Sequence, residues 1–445
     1  MADHIVDWEG VKLEASALLS CYIQVNTVNP PGNELNGAFF LRNILLKEGF
    51  EVDITESVTG RGNLVSRLKG TEHMPPLFLL HHIDVVPVEE DKWQYPPFSG
   101  LIQDGEIWGR GSLDCKSLGV MELMALIILK RQGFKPKRDV VLLATADEEA
   151  GGKWGIEWMI RNHPDLFRGG AVINEGGGPG LTTRKGKLYF CQTAEKGVCW
   201  LRLRFKGVPG HASIPHGHNC VVQMAQVIEK ISRFRPPLQV SEVVEKLVRR
   251  VAPEQEIMDP AEFLMLLSPD NHDRVLGKIP GENFRNLLSA LLHNTFVPTV
   301  VKGGSKSNVI PSECYCEIDC RMLPGNRPED IVRTVKGCAG GIEGLEIEII
   351  DSSIPSESPL DHELYHLLSR AMKKYDPQAE LVPYMSTGAS DSRYFREMGM
   401  TAYGIQTDIT PGALERMHGH NERISTESLL FGIQVFHEAV KEFCG

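Results

Sequence analysis

DVVLLATADEEAGG, at Asp139–Gly152, is an apolar run that ends in three acidic residues, an alanine and two glycines. Residues Val140–Ala146 have the length and β-branched content of a strand covered on both faces, as in a parallel sheet flanked by helices. Open α/β sheets bind ligands beyond the carboxyl ends of their strands, which is where Asp147, Glu148 and Glu149 fall. The stretch therefore predicts an α/β domain with a carboxylate-rich site at one edge of its sheet.

Two other apolar runs end in the same way. LFLLHHIDVVP, at Leu77–Pro87, carries His82 and Asp84 at its end, and GAVINEGGG, at Gly170–Gly178, ends on Glu175. A single acidic residue after a strand is usually a turn residue or a helix cap. A histidine and two glutamates at corresponding ends of three strands instead indicate a metal site.

Length and composition predict a globular protein of two domains. The chain has 445 residues, 42% of them apolar and 24% charged, which is too long for one simple core. The formal net charge of -11 disfavours a nucleic-acid partner, since phosphate binding needs a basic surface. The N-terminal segment lacks the pattern of a signal peptide, and no run approaches the roughly 18 apolar residues of a membrane span. We therefore expect a soluble, cytoplasmic protein without a membrane partner, whose ten scattered cysteines are mostly reduced.

The pattern of elements divides the chain into a discontinuous α/β domain and an inserted α+β domain. Residues 1–193 and 355–445 carry the helices and parallel strands of the α/β domain, whereas the pattern changes over residues 194–354. There the order is strand, helix, strand, strand, helix, strand, which is the split ferredoxin-like arrangement. A mostly helical stretch, at about 237–293, interrupts this order without a cluster of catalytic residue types.

Five residues form the candidate set of metal ligands: His82, Asp114, Glu149, Glu175 and His418. Two neutral imidazoles and three carboxylates bring three negative charges, which together with one bridging hydroxide balance two divalent cations. This sum favours a dinuclear site, and zinc accepts both histidine nitrogen and carboxylate oxygen. Asp114 also lies in a glycine-rich loop just before a helix, so a simple helix cap is the alternative interpretation of this residue.

Two acidic residues beside the ligands are predicted to have other roles. Asp84 lies two residues beyond His82 on the same side of a strand, and its carboxylate could orient the imidazole. Glu148 directly precedes a ligand and is the natural general base, able to take a proton from water and pass it to a leaving amine.

Six motifs in order resemble the consecutive signatures of the M20 metallopeptidases, a group of carboxypeptidases, dipeptidases, aminoacylases and desuccinylases with co-catalytic zinc. The motifs are HIDVVP at His82–Pro87, GRGSLDCK at Gly109–Lys116, DEEAGG at Asp147–Gly152, NEGG at Asn174–Gly177, GHAS at Gly210–Ser213 and HGHNE at His418–Glu422. Six motifs in the same order make the resemblance specific. It implies a zinc-peptidase-like catalytic domain with flanking helices, and an inserted ferredoxin-like lid domain.

The resemblance also implies two zinc ions per chain, with cobalt or manganese as alternatives. The implied ligands are His82 and Glu175 for one ion, Glu149 and His418 for the other, and Asp114 between them. It assigns Glu148 as the base. In the last motif the spacing H-x-x-N-E selects His418 rather than His420.

The inserted domain resembles the family's lid, which often forms homodimers. Carried over, His211 would reach the site of a neighbouring subunit and stabilise the tetrahedral oxyanion. Asn308, Arg321 and Gly388 would hold the terminal carboxylate of the substrate. On residue type alone, a hydrogen-bonded histidine at a strand end and a surface arginine are the simpler interpretations of His211 and Arg321.

HELYH, at His362–His366, is a competing motif because two histidines and a glutamate at this spacing can build a mononuclear zinc site. However, Leu364, Leu367 and Leu368 already supply a buried helix face, and no third ligand follows. We therefore expect an ordinary helix here.

The sequence thus predicts a dinuclear zinc hydrolase that cleaves an amide bond next to a free carboxylate. A dipeptidase or carboxypeptidase acting on small peptides is the first choice. An aminoacylase or desuccinylase acting on N-acyl amino acids is the alternative, and a non-catalytic metal-binding interaction protein is a more distant one.

Overall fold

The computed structural model describes residues 6–178, 180–342 and 344–445, which belong to two compact units. The first unit contains the chain up to Thr193 together with Ser358–Tyr384 and Ser390–Gly445. The second contains Ala194–Glu357 and Met385–Ala389. A helix with the length and hydropathy needed to cross a membrane does not occur in the described part of the chain.

A mixed β-sheet forms the centre of the first unit. Its strands follow one another across the sheet in the order Val52–Val58, Arg61–Leu68, Val140–Thr145, Leu77–His82, Ala171–Asn174, Thr401–Ile405 and Lys187–Glu195. The four strands from Val140–Thr145 to Thr401–Ile405 run parallel, so their carboxyl ends meet at one edge. Two further strands, Leu181–Thr182 and Ala379–Ser386, pair with Lys187–Glu195.

Apolar side chains project from both faces of these parallel strands, and helices cover both faces. Leu77 and Leu79 belong to one buried cluster, whereas Phe78 and Leu80 belong to another on the opposite face. The α-helices of this unit are Trp8–Ile23, Glu34–Lys47, Lys116–Arg131, Ile156–Asn162, Glu363–Tyr375, Ser392–Glu397, Ala413–Arg416 and Thr426–Cys444. Short 3-10 turns lie at Glu90–Lys92, Glu148–Ala150 and Pro164–Phe167, and a small separate sheet contains Ile102–Gln103, Glu106–Trp108 and Arg423–Ser425.

The second unit is built on a four-stranded antiparallel sheet. Its strand order is Thr295–Gly303, Glu313–Met322, Gly197–Lys206 and Leu345–Ser353. Helices Cys220–Arg233 and Pro328–Ala339 pack on one face, where Cys314 and Cys316 are core residues. The order of elements and strands is ferredoxin-like, so the predicted fold class is confirmed.

Short helices form the interrupting stretch of the second unit. They are Glu242–Val251, Pro260–Leu264, His272–Leu276 and Glu282–Leu292, with a 3-10 turn at Met265–Leu267. The buried Lys196 ties the last of them to the sheet, because its Nζ donates to the carbonyl oxygens of Ala290 (3.0 Å) and His293 (2.8 Å). Two smaller pieces of strand, Gly210–His211 and Val309–Ile310, pair with each other, and Ser356–Glu357 pairs with the end of Lys187–Glu195.

Candidate active site

The parallel strands of the first unit deliver polar residues to one edge of the sheet. His82 is the last residue of its strand, Glu175 directly follows Ala171–Asn174, and Glu149 lies in the 3-10 turn after Val140–Thr145. Asp114 comes from the loop that precedes helix Lys116–Arg131. Four of the five candidate ligands therefore come from the ends of strands and the start of a helix.

Asp114 lies at the centre of the five candidate ligands. Its Oδ1 is 3.0 Å from Nε2 of His82, and its Oδ2 is 3.0 Å from Nε2 of His418. Glu175 Oε2 is 3.6 Å from Nε2 of His82, and Glu149 Oε2 is 3.2 Å from Nε2 of His418. The five residues thus form two groups that share Asp114, and the ligand atoms within each group lie within 4.8 Å of one another.

The loop that carries His418 turns this residue, and not His420, toward the cluster. His418 has a left-handed backbone conformation with φ 57°, which is uncommon for a residue with a side chain. His420 lies on the surface, where its Nε2 is 3.0 Å from Oε2 of Glu89. The two histidines of the HGHNE motif therefore have different environments.

The electrostatics of the cluster fit divalent cations. Among the described residues, the ion-pair partners of the three carboxylates are the two imidazoles. Burial and the nearby Asp114 raise the pKa of Glu149 to about 7, and its Oε1 is buried with no hydrogen-bond partner in the described part of the chain. Burial also raises the pKa of Glu175, because removal from water disfavours the charged carboxylate unless enough positive charge nearby compensates for it. Two cations among these nitrogen and oxygen ligands would supply that compensation.

Cys115 also lies within reach of the group formed by His82, Asp114 and Glu175, which the sequence analysis did not predict. Its Sγ is 3.5 Å from the carbonyl oxygen of His82, and burial raises the pKa of the thiol well above its usual range. Cys115 follows Asp114 directly in the motif GRGSLDCK, and this adjacency is the feature of the sequence that could have indicated its place beside the ligands.

Asp84 contacts both His82 and the turn that carries the two glutamates. Nδ1 of His82 is 2.9 Å from the main-chain oxygen of Asp84 and 3.5 Å from its Oδ1. The two carboxylate oxygens accept hydrogen bonds from the backbone N–H groups of Glu148 (3.1 Å) and Glu149 (3.2 Å). The imidazole is thus oriented mainly by the Asp84 carbonyl, while the Asp84 carboxylate fixes the glutamate turn.

A network of buried hydrogen bonds and ion pairs, which the sequence did not predict, stabilises the turn that carries Glu148 and Glu149. Asn29 donates from Nδ2 to Oδ2 of Asp84 (2.8 Å). Arg61 pairs through Nη1 with Glu34 (2.5 Å) and with Asp147 (3.2 Å). Asp147 has a left-handed backbone with φ 67°, and these contacts compensate for the cost of that conformation. The partners in each of these contacts lie at least 27 residues apart in the chain, so no local pattern in the sequence reveals the network.

Glu422, at the end of the HGHNE motif, organises the loop that carries Asp114. Its carboxylate accepts hydrogen bonds from the backbone N–H groups of Gly111, Leu113 and Asp114, at 2.7 to 3.1 Å. It also forms an ion pair with the buried Arg110 at 2.6 Å. One side chain therefore links the His418 loop to the Asp114 loop, and so connects the two ligand groups.

We expect Glu422→Ala to lower the free energy of unfolding of the first unit by about 3 to 5 kcal/mol, because it leaves Arg110 as a buried charge without its partner. Urea denaturation followed by tryptophan fluorescence measures this change. Glu442→Ala is the matched control, since Glu442 pairs with Arg370 at the surface and its loss should cost less than about 1 kcal/mol. Equal destabilisation by both variants would contradict the role of Glu422.

The competing motif HELYH begins an ordinary helix. His362 is the N-terminal cap of Glu363–Tyr375, and its Nδ1 accepts a hydrogen bond from the backbone N–H of Leu364 (3.2 Å). His366 is exposed and lies 3.0 Å from Asp361. Neither histidine belongs to a group of three or more metal-ligating side chains in the described part of the chain.

In the second unit, His211 and Asn308 lie close together at the paired strands Gly210–His211 and Val309–Ile310. The backbone N–H of Ala212 donates to the carbonyl oxygen of Asn308 (3.1 Å). Nδ1 of His211 accepts a hydrogen bond from the backbone N–H of Ser213 (3.2 Å), and the Ser213 hydroxyl is 2.6 Å away. Both His211 and Asn308 are exposed.

Arg321 and Gly388 lie in other parts of the second unit. Arg321 forms a bidentate pair with Asp319, with Nε at 2.7 Å and Nη2 at 3.0 Å from the two carboxylate oxygens. The N–H of Gly388 donates to Oγ of Ser386 (3.1 Å). The pairing of Arg321 with Asp319 was not predicted, although their i, i+2 spacing on a strand was the available signal.

An α/β unit with a cluster of metal ligands at the carboxyl ends of its strands, together with an inserted ferredoxin-like unit, defines the class of two-unit α/β metallohydrolases. A sequence profile of the peptidase family M20/M25/M40 matches residues 78–442. The chain belongs to this family and is a metal-dependent amide hydrolase.

The named relatives of this chain include both peptidases and enzymes that act on N-acyl amino acids. The N-fatty-acyl-amino acid synthase/hydrolase PM20D1 of Xenopus tropicalis is 27% identical over 411 residues, which cover 87% of this chain and 76% of the relative. The probable carboxypeptidase S-like 2 of Dictyostelium discoideum is 29% identical over 400 residues, covering 85% and 74%. The crystal structure of the M20 family metallo-carboxypeptidase Sso-CP2 from Sulfolobus solfataricus superposes with a TM-score of 0.72 at 18% identity, covering 96% and 98%, and shows that the fold is shared.

Proposed function

We propose that the protein is a dinuclear zinc hydrolase that cleaves the amide bond next to a free carboxylate in a dipeptide or at a peptide C-terminus. The observation that carries this proposal is the division of five ligands into two groups that share Asp114. A bridging carboxylate between two such groups is the donor arrangement of co-catalytic zinc sites. The similarity to a carboxypeptidase S-like protein supports the choice of peptide substrates.

In this proposal, His82 and Glu175 would hold one ion, Glu149 and His418 would hold the other, and Asp114 would be available to both. Bound zinc would supply Lewis acidity, which polarises the scissile carbonyl and lowers the pKa of water. Asp84 keeps the imidazole of His82 and the turn of Glu148 and Glu149 in place.

Glu148 acts as the general base and then as the general acid. Its backbone is fixed by Asp84, so the side chain starts from a rigid turn. Burial and the neighbouring Glu175 carboxylate raise the pKa of Glu148 well above its usual range, which suits a group that both accepts and donates a proton. Glu148 takes a proton from the attacking water and delivers it to the nitrogen of the leaving amine.

His211 stabilises the oxyanion of the tetrahedral intermediate, reaching the site of a neighbouring subunit in a homodimer formed through the lid. Its Nδ1 accepts a hydrogen bond from the backbone N–H of Ser213, so the ring proton resides on Nε2. An imidazole in this tautomer presents an N–H donor, which is what an oxyanion requires. Asn308, Arg321 and Gly388 bind the terminal carboxylate of the substrate.

The alternative substrate class is the N-acyl amino acids, favoured by the similarity to an N-fatty-acyl-amino acid synthase/hydrolase. These compounds share the amide bond and the adjacent carboxylate, so the same residues would act in the same roles. We also propose a cytoplasmic location, because all ten cysteines are free, as expected in a reducing compartment.

We expect the protein to hydrolyse a free-acid substrate about 10- to 100-fold faster, as kcat/KM, than the same substrate with an amidated C-terminus. The reason is that a hydrogen bond to a charged group contributes about 1.5 to 3 kcal/mol, and the amide cannot form the bidentate pair with a guanidinium. A panel of dipeptides and N-acyl amino acids, each in both forms, measures this ratio and separates the two substrate classes.

The control for this experiment is a pair of arginine variants. Arg321→Ala should lower the ratio of kcat/KM for the free acid to kcat/KM for the amide. Arg333→Ala, which removes an exposed arginine of the same unit, should leave this ratio unchanged. Equal kcat/KM for both forms in the wild type would mean that the carboxylate is not recognised, and the proposed substrate class would fail.

A further inference from the structure

Asp319 occupies one edge of the Arg321 guanidinium group and leaves the other edge available. The pair uses Nε and one N–H of Nη2, which are two of the five N–H groups of the planar fork. Among the described residues, the Nη1–Nη2 edge makes no further hydrogen bond, and Arg321 remains 26% exposed. This edge has the geometry for a second, bidentate carboxylate.

Asp319 is itself held in place by Trp200. The indole Nε1 donates to Oδ2 of Asp319 at 3.0 Å. The strand register sets Trp200 opposite Asp319 and Val198 opposite Arg321. Because residues two apart on a strand point to the same side, Asp319 and Arg321 share the face opposite to the buried Cys320. The three side chains therefore form a fixed row on the outward face of the sheet.

An isolated arginine–carboxylate pair at a protein surface usually contributes little to stability. This pair differs because the carboxylate is bidentate and is locked by a third side chain, so the long arginine loses its rotational freedom before any ligand arrives. A group that is ordered in advance pays less conformational entropy on binding. The row is thus suited to ligand binding more than to folding.

We propose that Asp319, locked by Trp200, is a positioning residue that orients Arg321 so that its Nη1–Nη2 edge receives the substrate carboxylate. The inference rests on the proposed function, in which Arg321 binds that carboxylate. Asp319 contacts only Arg321 and Trp200 in this role and does not contact the substrate.

The test compares kcat and KM of Asp319→Asn and wild type on matched free-acid and amidated substrates. Asparagine keeps the shape of the side chain but cannot accept both guanidinium N–H groups. We expect kcat/KM for the free acid to fall on the order of tenfold, the effect of one lost hydrogen bond to a charged group, with the amidated substrate unchanged. Trp200→Phe should act in the same direction with a smaller effect.

Glu317→Gln is the matched control. Glu317 lies two residues earlier on the same side of the same strand and accepts hydrogen bonds from Nε and Nη2 of another arginine, Arg202, at 3.0 and 2.7 Å. This variant should leave the ratio of free-acid to amide activity unchanged. In an Arg321→Ala background, Asp319→Asn should have no further effect, because both substitutions act through the same contact.

The inference is overturned if Asp319→Asn leaves the acid-to-amide ratio at the wild-type value, or if it raises free-acid activity, which would make Asp319 a competitor for Arg321. An equal loss on both substrates, accompanied by a lower Tm, would assign Asp319 a purely structural role and also overturn it. Failure of the proposed function appears separately, as a wild-type enzyme that does not distinguish the acid from the amide.

Discussion

Replacing Glu148 by glutamine should leave the bound metal in place and lower kcat by about 10²- to 10⁴-fold, the usual contribution of a general base. Glutamine preserves the shape of this half-buried side chain but cannot accept a proton. Glu148 lies outside both ligand groups, and its main chain is held by Asp84 in the variant as in the wild type. Steady-state kinetics on a fast substrate, combined with metal analysis of the same sample, measure both effects.

The outcome that contradicts this assignment is loss of metal together with activity, which would make Glu148 a ligand. Activity within tenfold of the wild type would mean that another residue carries the proton. Asp391 is the residue to examine in that case, because it is buried, close enough for its charge to affect Glu148, and has a pKa raised to about 7 by burial.

Replacing Glu149 by glutamine should instead weaken metal binding. Glu149 Oε2 faces Nε2 of His418, and its second oxygen has no other hydrogen-bond partner among the described residues. Loss of an outer partner of a metal ligand typically costs 10- to 100-fold in affinity, and loss of a charged ligand should cost more than about 100-fold. Titration against a chelating dye should show one tight and one weakened site.

Glu148→Gln is the matched control for Glu149→Gln, since the two glutamates are adjacent and lie in the same turn. Equal weakening of metal binding in both variants would mean that the effect comes from the turn as a whole. Unchanged affinity in Glu149→Gln would exclude Glu149 from the ligand set.

The sequence predicted those features of the fold that depend on local patterns. The continuous apolar runs at Leu77–His82 and Val140–Thr145 predicted buried parallel strands, and the structure confirms them. Strand Lys187–Glu195 was missed as a separate element. It is buried on nearly every residue and therefore lacks alternation, and only Lys196 separates it from the next strand, so the two could not be divided from the sequence.

The candidate ligands could be selected from the sequence because each stands at the end of a strand or in a motif of recognisable spacing. The contacts that hold these ligands in position could not be predicted from the sequence, since they join segments that are distant in the chain. Glu422 contacts the Asp114 loop although more than 300 residues separate them in the chain. Arg61, at the start of one strand, contacts Asp147, which follows the end of another strand. Their hydrogen bonds follow from the tertiary structure, which no local pattern encodes.

Metal content of the purified, zinc-saturated protein tests the dinuclear site most directly. The arrangement around Asp114 predicts two zinc equivalents per chain in the wild type and in His366→Ala, and fewer than two in His82→Ala. One equivalent that survives His82→Ala and is lost in His366→Ala would contradict the account and transfer the metal site to HELYH.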